Sequence, residues 1–102
     1  MSRREQLEKM LAASPDDLFL KYSLAMTLAS DGEEEKAAEK LAAINQDHPD
    51  DVAAWFQRGQ ILARIGEVEE AREVITAGIA VAQRVGNDHA EGEMRGFLDM
   101  LD

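Results

Sequence analysis

Few residues in this chain are equipped for chemistry. It has two histidines, His48 and His89, and no cysteine, so nucleophilic and acid–base catalysis have few candidates. His48 lies in the run Asp47-His48-Pro49-Asp50-Asp51, whose side chains suit a divalent ion. The spacing fits no diagnostic ligand pattern, and a helix ended by proline and followed by a capping aspartate accounts for the same residues. His89 and Glu93 stand four apart, on one face of a helix, where a solvated pair is the ordinary outcome and two ligands do not make a structural metal site. Glu33-Glu34-Glu35 suits the positive N-terminus of a helix. No phosphate-binding glycine loop and no Ser/His/Asp motif context occurs. The residues point away from an enzyme, and neither a metal nor a cofactor is expected.

Charge narrows the partners. The 102 residues carry a formal net charge of −10, which repels phosphate backbones and anionic lipid surfaces, so neither nucleic acid nor a membrane is an expected partner. Basic protein segments stay compatible with that charge, although acidity also serves solubility alone. No apolar run approaches the roughly 20 residues that span a bilayer. The start, Met1-Ser2-Arg3-Arg4-Glu5, turns acidic at once and lacks the apolar core of a signal peptide. The absence of cysteine suits a reducing compartment. A cytoplasmic location is expected.

What must position any site is helical. Ala, Glu and Leu are the commonest residues, and only two prolines interrupt them, a helix-forming composition. Shifting the chain by 34 residues lays Pro15-Asp16-Asp17 on Pro49-Asp50-Asp51, Leu28-Ala29 on Leu62-Ala63 and Gly32-Glu33 on Gly66-Glu67. The same offset matches Ala37 with Ala71, Tyr22 with Phe56 and Leu41 with Ile75. A single period collecting so many matches marks a repeat architecture. Each match has a physical task. Gly32 and Gly66 can take the left-handed conformation at a helix end. Ala37 and Ala71 leave room for close helix approach. Pro15 and Pro49 end helices, and the aspartates after them cap the next ones.

The expected architecture is all-α, an alpha-alpha superhelix forming one domain, 1–102. Two helix-hairpin units (18–51 and 52–85) are flanked by an N-terminal half-unit helix, 2–13, and a capping helix, 88–101. Asp88 and Glu91 have capping-box spacing, and Met94, Phe97, Leu98 and Leu101 follow one buried helical stripe. Gly78 is a small-residue contact site that could let the last helix approach through Gly92 or Gly96.

The pattern resembles the tetratricopeptide repeat family. The residues that carry the resemblance are Trp55, Gly59, Leu62, Gly66, Ala71, Ile75 and the preceding Pro49 in the second unit. In the first they are Leu24, Ala25, Leu28, Gly32, Ala37, Leu41 and Pro49. Three positions depart from strict repetition: Lys21 stands where the second unit has Trp55, Arg58 where the first has Leu24, and Gln83 where a proline is expected. The resemblance is specific for fold and says little about function.

On a helical wheel, Leu20, Leu24 and Leu28 form one stripe of the leading helix, extended by Ala25, while Phe19, Tyr22 and Met26 form another on nearly the opposite side. A surface helix needs only one apolar stripe. The leucines must face the hairpin core, which leaves the aromatic stripe for something else. In tetratricopeptide arrays the leading helices line a concave groove that binds peptides. The resemblance puts Phe19, Tyr22, Met26, Ala29 and Ser30 there, and from the second unit Ala53, Phe56, Gln60, Ala63 and Arg64. Chaperone-binding members of the family hold acidic tails with Lys, Asn and Arg in that groove. Here the face carries Tyr22, Met26, Phe56 and Gln60, with Arg64 its only strong cation, so an apolar or amphipathic protein segment fits better than an acidic tail. Two alternatives stand beside peptide binding. A second copy could cover the patch in a homo-oligomer, or the chain's own first or last helix could fold over it.

Overall fold

The computed structural model describes residues 1–101; Asp102, the last residue of the expected domain, lies outside the described residues. The described residues form six helices and no strand. They are α1 (Arg3–Ala13), α2 (Leu18–Ser30), α3 (Glu34–Asp47), α4 (Val52–Arg64), α5 (Val68–Val85) and α6 (Asp88–Asp99). Each helix packs mainly against its neighbours in sequence. The result is a stack of antiparallel hairpins measuring 40 × 29 × 19 Å, the architecture expected of an alpha-alpha superhelix.

Local chemistry sets the helix ends. Ser2 and Glu5 form a reciprocal capping box at the start of α1, and the Asp17 carboxylate accepts from the Leu20 N–H at the start of α2. Asp51 occupies the matching place before α4, but its side chain makes no capping bond there. Gly32 and Gly66 adopt φ of +87° and +89°, a region that costs residues with a Cβ about 1–2 kcal/mol. Each reversal then closes with one repeated bond: the Glu33 N–H reaches the Leu28 carbonyl at 2.9 Å, and the Glu67 N–H reaches Leu62 at 2.8 Å. These are the carbonyls a Schellman-type end satisfies. Without a proline at position 83, α5 runs on to Val85 and stops at Gly86, φ +76°.

The leucine stripe of α2 is core: Leu20, Leu24, Ala25 and Leu28 are all buried. They join Leu7 of α1 and Leu41 and Ile44 of α3 in the first of two apolar clusters. The second gathers Val52, Ile75, Ile79 and Val81 around Met94 of α6. Small residues mark the tightest crossings. Ala37 and Ala71 have no exposed surface, and a Cβ added at Gly59 would meet the Cδ1 of Ile75 at 2.2 Å.

Two local expectations at the last helix need correction. The cap of α6 is Asn87, whose side chain accepts from the Ala90 N–H at 3.1 Å. Asp88 is already the first helical residue, so it forms no capping box with Glu91. Gly78 does not meet Gly92 or Gly96. Its missing Cβ makes way for the Met94 Sδ and the Trp55 Cβ, at 2.8 and 2.9 Å, whereas both later glycines face open space. A methionine in van der Waals contact with a glycine backbone gives the same close approach by another residue pair.

Among the described residues one polar side chain is buried. Asn45 of α3 accepts from Arg58 of α4 at 3.1 Å through Oδ1, while its Nδ2 has no partner. Arg58 also reaches Glu70 of α5 at 3.2 Å, so one guanidinium links three successive helices.

Candidate partner-binding face

The second stripe of α2 looks outward. Phe19 is 72% exposed, while Tyr22 and Met26 are half-buried. These three side chains, with Arg3, Ser23, Thr27, Ser30 and Asp31, line a shallow hollow of about 500 Å³. Phe19 and Tyr22 also wall a second hollow of about 350 Å³ with Leu18, Asp51 and Ala53. The two rings therefore stand between adjoining depressions that run from α2 toward the start of α4. Among the described residues no helix covers Phe19, although Arg3 of α1 borders the first hollow.

Electrostatics distinguish one end. Burial pushes the Asp51 carboxyl above the usual aspartate range, and the nearby His48 offsets only part of that rise. Burial also raises the Tyr22 phenol, the Asp51 charge raises it further, and a hydrogen bond with Gln57 pulls it back. The Asp51 carboxylate is charged well before the phenol titrates, so the coupling runs one way and disfavours the Tyr22 phenolate.

The expected contributions from the second unit separate. Phe56 does not stand open beside Tyr22. Its ring packs edge-on to Phe97 of α6, centroids 6.0 Å apart with 68° between the planes, an arrangement aromatic quadrupoles favour. Gln60 is half-buried, and so are Ala29 and Ala63, both packed against the first cluster. Arg64, expected at the edge of the face, is exposed and held by Glu34 at 2.7 Å. Leu18 and Asp51 were missed as wall residues. Their only sequence signal was adjacency to Phe19 and position at a helix cap, neither of which specifies a direction.

The other constellations resolve into surface pairs. Lys21 Nζ lies 3.4 Å from Asp47 and 3.5 Å from His48. His89 and Glu93 approach to 3.2 Å along α6. Among the described residues no three His, Asp or Glu side chains gather as a metal-ligand set, and no helix is long and apolar enough to cross a membrane.

No family model matches the chain. A curated TPR repeat-containing protein of Pseudomonas aeruginosa is 36% identical over 98 residues, which is 96% of this chain and 93% of that protein. The solution structure of a protein from Bordetella parapertussis superposes with a TM-score of 0.86 at 31% identity, covering 99% of this chain and 88% of that one. A tetratricopeptide repeat domain protein from Salinibacter ruber, solved in solution, gives a TM-score of 0.82 at 22% identity, over 86% of this chain and 89% of that one. That last likeness bears on fold alone.

Proposed function

The chain belongs to the tetratricopeptide repeat family, and from that premise we propose that it is a non-catalytic interaction module holding a polypeptide segment along the face of α2 and α4, the concave groove of such arrays. Tetratricopeptide repeat domains generally bind proteins or peptides. The observation that carries the reading is Phe19, 72% exposed where two hollows adjoin. Burying such a ring is worth roughly 1.5–3 kcal/mol, and an exposed apolar patch of this kind marks a contact surface. In this reading Phe19, Tyr22 and Met26 supply the apolar contacts, and Ala29, Gln60 and Ala63 border them without bulk. Phe56 contributes the edge of a ring already backed by Phe97, and Arg64 with its Glu34 partner marks the rim. The segment bound is apolar or amphipathic, and a cytoplasmic setting belongs to the same proposal.

Selection from a displayed peptide library, followed by titration of the selected peptides, tests it. Binding should fall at least tenfold in Phe19→Ala and Tyr22→Ala, since one buried ring is worth more than about 1.4 kcal/mol. Selected peptides that bind both variants unchanged would defeat the groove assignment. Phe19 also supports a second reading, in which another copy of the chain covers the ring. Sedimentation over a concentration series decides: a dimer that Phe19→Ala dissociates would favour self-association.

A further inference from the structure

The two repeats differ at one place where repetition should have filled a space. In the second unit Trp55 packs against both apolar clusters, and its indole N–H donates to the Pro49 carbonyl at 2.9 Å. The residue at the same place in the first unit is Lys21. Its ammonium turns away to Asp47 and His48. The floor differs as well. The polar pair Asn45 and Arg58, on α3 and α4, corresponds one repeat earlier to Leu11 of α1 and Leu24 of α2. The first unit thus has an apolar floor without the aromatic that covers its counterpart.

Ile44, which stands where the second unit has Gly78, takes up part of that volume and is fully buried. An open groove of about 320 Å³ nevertheless remains between α1 and α3, floored by Leu11, Leu24 and Ile44. That volume is at the lower end of the roughly 300–1,000 Å³ typical of ligand sites. Its lining includes Pro15, the counterpart of the proline whose carbonyl holds the Trp55 indole. Two lysines, Lys21 and Lys40, stand at the rim with Asp47. Lys21 is paired with Asp47, and Lys40 makes no ion pair among the described residues. In a chain of net charge −10, this rim is locally cationic.

We propose that this groove is a second binding site, which takes one aromatic side chain, a tryptophan above all, from a partner polypeptide that carries acidic residues beside it. The second repeat is the template: it shows an indole in the equivalent place, its N–H on the carbonyl of the equivalent proline. The lysine rim sets the sign of the flanking residues. The site shares no lining residue with the hollows around Phe19, so it is independent of the concave-face reading.

The test uses the whole chain and three capped tripeptides, Glu-Trp-Glu, Glu-Ala-Glu and Lys-Trp-Lys, followed by amide and methyl chemical shifts. Glu-Trp-Glu should saturate and move Leu11, Leu24 and Ile44, Glu-Ala-Glu should move none of them, and Lys-Trp-Lys should bind more weakly by roughly fivefold or more. Ala43→Leu, which adds bulk at an exposed lining position, should abolish the shifts, and Lys40→Glu should weaken them. Phe19→Ala should leave them unchanged. Several results would overturn the proposal: shifts centred on Phe19 and Tyr22, equal binding of the acidic and basic tripeptides, or full binding in Ala43→Leu. Concentration-dependent shifts at Leu11 and Ile44 without peptide would also overturn it, because the occupant would then be a second copy.

Discussion

Gly59 and Ile75 offer a quantitative test of how the hairpins pack. In Gly59→Ala the new methyl would lie 2.2 Å from Ile75 Cδ1 and 2.5 Å from Cγ1, against an ordinary contact range of 3.4–4 Å. Ile75 has no exposed surface into which it could retreat. Overpacking of this kind costs about 1–3 kcal/mol, while replacing a mid-helix glycine returns about 0.8–1 kcal/mol of helix propensity. The net expectation is a loss of roughly 1 kcal/mol, a fall in melting temperature of about 4–8 °C for a domain of this size. The first repeat supplies the compensating change: Ala25 and Leu41 hold the equivalent places, and both are fully buried. The double variant Gly59→Ala/Ile75→Leu copies that pair and should recover most of the loss, because neighbours in contact couple non-additively. Urea melts of the four proteins in the cycle measure it. A Gly59→Ala protein as stable as the parent, or a double variant no better than the sum of its singles, would refute close packing as the reason for the glycine.

Three further outcomes follow from the same structure. Ala71→Leu inserts bulk at a position with no exposed surface and should lower stability by about 1–3 kcal/mol in urea melts. Gly66→Ala places a Cβ at φ +89° with open space around it, so its cost should be conformational alone, about 1–2 kcal/mol, with no change in the apolar core seen by NMR. Asp51 has its carboxyl raised by burial, so the folded state holds that proton to higher pH than the unfolded chain does. Stability from this group is therefore present at low pH and lost as pH rises through the folded value. Asp51→Asn keeps a good capping residue and should be at least as stable as the parent at pH 7, with the advantage vanishing near pH 3 in melts across pH.

The turns were readable because each depends on one residue's own conformational preference. Gly32 and Gly66 take positive φ for reasons that lie in glycine itself, and the leucine stripe of α2 is buried because a helix alternates its faces on a fixed period. The same locality explains the slip at α6. Asn87 and Asp88 are both good caps, and which one the helix uses depends on where α5 ends. Phe56 failed to be readable for a different reason. Its exposure is decided by Phe97, on a helix that follows an α5 longer than the repeat would make it, so no period carries one residue onto the other. Arg64 is exposed, as wheel and offset place it, but its pairing with Glu34 on the neighbouring α3 depends on how the two helices pack and had no local signal. The exposure of Phe19 was readable because, among the described residues, no distant element covers it.

Because each helix packs mainly on its sequence neighbours, the molecule should come apart like a zipper from its ends rather than all at once. Of its residues α6 buries only Met94 fully, so amide exchange along α6 should outpace exchange in α3 and α4. When α6 lifts, Phe97 leaves with it, and the ring of Phe56 on α4 loses its cover. On the proposed reading, the surface offered to a partner then becomes a matter of timescale, the exposed Phe19 beside the half-buried Tyr22 in the fully zipped state and a third ring while the last helix is away.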